Sequence, residues 1–158
     1  MGYYKSLTTE ELKNLEKDFI DFLIVNGITA DDWIKIREND SKTAEELLGK
    51  FSDVIHESSL RKAKFLKFSA SDVIRCFHFM EESILMFSIK SKNKDTNLNL
   101  LDFKTIELHN LNLEIESAEK VYSKKREYEM YDMICNGCVI SDGNLYKKLA
   151  LLWVDLNN

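Results

Sequence analysis

The chain has 158 residues, 44% of them hydrophobic, with 22 Lys+Arg against 27 Asp+Glu and a formal net charge of -5. That is enough for one α+β domain over residues 1–158 to bury a core unaided, and three cysteines, few and odd in number, argue for reduced thiols over a disulfide framework. No apolar run approaches the roughly 18 residues of a membrane span, and no signal-peptide core follows Lys5, so a cytoplasmic protein is expected.

The amino-terminal third reads as helix. Thr8 caps a first helix with Glu11 in the box position, and Leu12, Leu15, Phe19, Phe22 and Leu23 then recur at steps of three and four over residues 9–26. Gly27 suits the left-handed residue after the helix end, Ile28 folds back on Leu23, and Thr29 with Asp32 opens a short second helix carrying Trp33 and Ile36 inward. Thr43 with Glu46 predicts a third box, followed by a stripe of Leu47, Leu48, Phe51, Val54 and Ile55 to residue 58, with Gly49 inside it.

The period then changes from 3.6 to 2. Residues 63–68, 73–80 and 84–89 are short, aromatic and β-branched, and separated by turn residues, which predicts an antiparallel meander. A turn at Glu81 and Glu82 sets Phe79 opposite Ile84 and Phe77 opposite Met86. Ile74, Cys76 and His78 then share the other face with Leu85, Phe87 and Ile89. Both faces are apolar, so both need a cover, from the chain's own helices or from another chain. Residues 91–99 read as a mobile loop, 100–113 are ambiguous, and Leu113, Ile115 and Ser117 alternate with Glu114 and Glu116 as a fourth, edge-like strand does. Helical pattern returns at Glu127 and stops at Gly137, and a last helix from Ser141 or Asp142 presents Leu145, Leu149, Leu152 and Trp153. The expected fold is therefore α+β: N-terminal helices, an antiparallel sheet of three or four strands, and a C-terminal helix pair packed on that sheet.

The strings Leu7-Thr8-Thr9-Glu10-Glu11, Gly27-Ile28-Thr29-Ala30-Asp31-Asp32-Trp33, Phe51-Ser52-Asp53 and Gly137-Cys138-Val139-Ile140-Ser141-Asp142-Gly143-Asn144-Leu145-Tyr146 occur in this order. Together they resemble a family of small cytosolic bacterial proteins catalogued as a domain of unknown function. The resemblance implies a bacterial origin and carries over no functional residue, since its motifs are caps, turns and packing positions.

Chemistry is sparse. Cys135 and Cys138 form a C-x-x-C spacing, compatible with half a tetrahedral zinc site completed by Cys76 and His78, with a redox pair, or with small buried hydrophobes. The pair straddles a helix end rather than opening a helix, which disfavours the redox reading. His78 between Phe77 and Phe79 reads as a core histidine, and His109 has no evident partner. Glu114 with Glu116 reads as a solvated strand face, and Asp31 with Asp32 as helix-start charge. Every glycine is terminal, at a helix stop, in a turn or isolated in a helix, so no phosphate loop is left. The closing helices have helix-turn-helix proportions but only Lys147 and Lys148 for phosphates.

No cofactor and no catalytic residue is expected. The function expected is a non-enzymatic protein-interaction module, adaptor or regulatory, using a sheet face at Phe77, Phe79, Ile84 and Met86, in its simplest form a homodimer. The alternatives are RNA or ribosome binding through a basic middle segment with Lys62, Lys64, Lys124 and Lys125, and a small zinc protein.

Overall fold

A computed structural model describes residues 3–158, which divide into two compact units between Ser59 and Leu60.

The first unit holds α1 (Thr9–Asn14), α2 (Glu16–Val25), α3 (Ala30–Asn39) and most of α4 (Ser41–Lys62). Two of the three predicted boxes form: the Glu11 amide donates to Thr8 Oγ1 at 3.1 Å, and the Asp32 amide to Thr29 Oγ1 at 3.1 Å. The Glu11 and Asp32 carboxylates accept from the cap amides in return, which holds both below the usual carboxylate range. Gly27 takes φ 75°, and the Ile28 amide reaches back to the Leu23 carbonyl at 2.8 Å. The expected single helix over 9–26 is instead broken at Leu15, whose N–H is shared between the carbonyls of Glu11 and Leu12; that tightened turn separates α1 from α2. The third cap is also different. Asp40 takes the role, accepting from the Thr43 amide at 3.2 Å and the Thr43 hydroxyl at 2.7 Å, so α4 starts earlier and runs to Lys62. Phe51 is 1% exposed, with the rings of Phe19 and Phe22 at 5.0 and 5.4 Å, and Trp33 packs edge-on to Phe19 at 5.0 Å.

Gly49 lies inside α4 with no structural need for glycine: an added Cβ would meet nothing within 4 Å. Gly49→Ala is therefore expected to stabilise the protein by about 1 kcal/mol, read as a higher urea midpoint at unchanged slope. An unchanged or lower midpoint would contradict the open space around that position.

The second unit is built on β1 (Phe65–Ser69), β2 (Val73–Phe79), β3 (Ser83–Ser91), β4 (Leu113–Val121) and β5 (Val139–Ser141), all antiparallel in the order β4-β3-β2-β1-β5. The expected register holds, with Phe79 opposite Ile84, Phe77 opposite Met86 and Ile74 opposite Ile89. The expected fourth strand is β4, an edge that carries Glu114 opposite Lys90 and Glu116 opposite Ser88, charges that guard it against pairing with other chains.

The sheet has five strands, not three or four. β5 escapes the pattern because three residues carry no alternation, and both Val139 and Ile140 are more than half exposed. Gly137 at φ 108° and Gly143 at φ 85° fold it against β1; a Cβ on Gly143 would lie 2.5 Å from the Phe65 ring.

That strand separates the last two helices, α5 (Arg126–Cys135) and α6 (Asn144–Leu156), which are not a pair on one side of the sheet. α6 covers the face of Ile74, Cys76 and Ile89 with Tyr146, Leu149 and Leu152, and Leu149 is fully buried. Leu98 and Leu108, in short turns of 3-10 helix, complete this core. The stretch expected as a mobile loop thus ends in a fully buried anchor, Leu98, whose amide donates to the Ser71 carbonyl at 2.8 Å. α5 lies over the opposite face, where its Met130 is fully buried. Among the described residues no helix is long and apolar enough to cross a membrane.

Candidate functional site

α5 roofs its sheet face incompletely. Arg126 anchors its start: the guanidinium donates to the carbonyls of Leu60 at 3.1 Å, Ala63 at 2.6 Å and Phe79 at 3.2 Å, and lies over the Phe79 ring at 5.9 Å. Glu129, 5% exposed, ties the helix to the β4 edge by accepting from Lys120 Nζ at 2.9 Å, the Ser123 amide at 2.9 Å and the Ser123 hydroxyl at 2.8 Å. Lys124 pairs with Asp132 one turn further on.

Beyond these ties a groove of about 650 Å³ remains open between helix and sheet. Phe68, Phe77, Ile84, Met86 and Met133 supply its apolar walls, and Arg75, Asn136 and Cys138 stand at one end. Of the four sheet residues expected as an interaction surface, Phe79 (2% exposed) and Ile84 (6%) are buried, whereas Phe77 and Met86 are half-buried on the floor of the groove. The face is thus a slot and not an open sheet.

Arg75 is the groove residue that the sequence reading passed over. It is exposed, lies over the Phe68 ring at 5.9 Å, and among the described residues makes no ion pair. Its signal was legible: it is the one permanently charged residue of a strand in which His78 is the only other titratable side chain besides Cys76.

The four lysines expected to bind anions gather at one end of this unit, since Arg126 ties the α4–β1 corner, with Lys62 and Lys64, to the loop carrying Lys124 and Lys125. Lys124 is matched by Asp132 and Lys125 lies over the Tyr128 ring at 5.5 Å, while Lys62 and Lys64 are exposed. Arg126, the next cation along the chain after Lys124 and Lys125, turns inward.

The suggested zinc ligands are not brought together. Cys76 and His78 belong to the α6 face, Cys138 lines the groove on the other, and Cys135 is exposed. Among the described residues no three His, Cys, Asp or Glu side chains come close enough to hold a metal ion. Burial pushes the Cys76 thiol up to about 12 and raises that of Cys138, which keeps both protonated at neutral pH. His78 stacks on Phe65 at 4.5 Å and meets Tyr146 at 5.3 Å; burial and the nearby charges of Lys64, Arg126 and Lys147 lower its pKa. His109, which lacked a partner in the sequence, has Asp155 of α6 at 3.1 Å. Glu114 and Glu116 are solvent-exposed on the β4 edge.

A second cavity, of about 850 Å³, lies in the first unit between residues 4–7 and one side of α4, where Asp53 Oδ1 is buried with no hydrogen-bond partner among the described residues.

Fold and groove together define an α+β protein whose antiparallel sheet carries a helix on each face, one of them standing off far enough to leave a groove. The chain belongs to DUF6495, a family of unknown function, whose model matches residues 1–153. No curated protein and no solved structure matches it.

Proposed function

We propose that this protein is a non-enzymatic cytoplasmic interaction module that holds a slender apolar segment of a partner protein in the groove between α5 and the sheet. The observation that carries the reading is the half-buried floor of Phe77 and Met86, an apolar surface that the chain lines on both sides without filling. A second copy laid flat on this face would meet α5 first, so an inserted segment fits better than the sheet-to-sheet homodimer. Groove chemistry agrees: the one thiol lining it is held protonated by burial, with no histidine among its lining residues to activate it.

The test is affinity capture from the native cell with the wild type and with Met86→Glu, each with and without nuclease and at raised salt. A protein partner that survives nuclease and salt and is lost with Met86→Glu supports the groove. Loss on nuclease treatment, or on charge reversal at Lys62 and Lys64 with Met86→Glu still competent, would move the function to the basic end and to a polyanion.

A further inference from the structure

We propose that the groove selects its occupant by charge: the segment it holds carries an acidic side chain among apolar ones, and Arg75 is the residue that recognises it. The inference rests on the groove reading above. Three cations line the groove, and two are already matched by carboxylates of α5, Lys120 by Glu129 at 2.9 Å and Lys124 by Asp132. Arg75 is the third, and among the described residues it has neither a carboxylate nor a hydrogen-bond partner. Its guanidinium lies over the Phe68 ring at 5.9 Å, a cation–π contact at the mouth of the groove. The side chains of Phe77 and Met86 lie on the same face of the sheet, since Phe77 is directly opposite Met86 and two residues on from Arg75 along β2. An occupant with apolar side chains on that floor therefore presents a neighbouring carboxylate to Arg75. A planar fork held over an aromatic ring and facing an apolar slot matches a carboxylate bidentately, which a lysine at the same place would not do.

The experiment uses two dyes with the same aromatic body, anilinonaphthalene sulfonate, which bears an anion, and N-phenylnaphthylamine, which does not. Fluorescence titrations are run on the full chain as wild type, Arg75→Met, Arg75→Lys and Met86→Glu. The anionic dye is expected to bind wild type about tenfold more tightly than the neutral one, a difference lost in Arg75→Met and only partly retained in Arg75→Lys. The ratio of the two affinities is the readout: it should fall in both Arg75 variants, whereas a general loss of structure would weaken both dyes alike, as Met86→Glu should. If the dyes bind wild type equally, or Arg75→Met leaves their ratio intact, charge selection by Arg75 is overturned while the groove stands. If neither dye binds in a way that Met86→Glu removes, the groove reading falls and this inference with it.

Discussion

Replacing Arg126 with alanine is expected to lower the free energy of unfolding by about 3 kcal/mol. The guanidinium satisfies three main-chain carbonyls, those of Leu60 and Ala63 at the α4–β1 corner and of Phe79 at the end of β2, and its side chain is largely buried. Removal leaves those acceptors without the donor that joins the α4–β1 corner and the end of β2 to α5, and also strips the cover from the Phe79 ring. Lysine should recover less than half of the loss, because one ammonium on a flexible stem cannot span three acceptors that a planar fork reaches at once. Urea unfolding of wild type, Arg126→Ala and Arg126→Lys checks this, and a lysine variant as stable as wild type would show that charge alone, and not the fork, is what the corner requires.

Arg126 also marks where sequence pattern stopped being informative. In the chain it is one of a run of cations, and nothing local separates it from Lys124 and Lys125, which stay on the surface. Signals carried within a few residues survived: the boxes at Thr8 and Thr29, the return of Ile28 onto Leu23, and the pairing of Phe77 with Met86, which a period of two and a short turn leave no freedom to change. Signals set by tertiary partners did not. β5 exists because the β1 edge is there to receive it, and Asp40 outcompetes Thr43 for the cap because α3 ends on it. The groove was half visible. The apolar face was legible from alternation, but its narrowing to a slot depends on Lys120 meeting Glu129 and Lys124 meeting Asp132 across the turn between β4 and α5. Those pairs are nine and eight residues apart, a spacing that belongs to no single helix or strand.

Glu129 gives that closure a pH dependence. Burial alone would raise its carboxyl, yet the hydrogen bonds from Lys120 and from the hydroxyl and amide of Ser123 outweigh burial and hold it down to about 2. A glutamate in the unfolded chain titrates near roughly 4.3, so the folded state binds this proton less readily than the unfolded one. The stabilisation is then fully present above about pH 4.3 and is lost as pH falls from that value through about 2, below which both states are protonated. Glu129→Gln keeps an acceptor for Ser123 but removes the charge that Lys120 pairs with. It is expected to cost about 2 kcal/mol at neutral pH, and the gap to wild type should shrink below about pH 4 and close only below about pH 2. Urea unfolding of both proteins across that range measures it. A gap that persists undiminished at the acid end would mean that the amide side chain fails by shape and not by charge, and that α5 is held on the β4 edge by packing rather than by the Lys120–Glu129 pair.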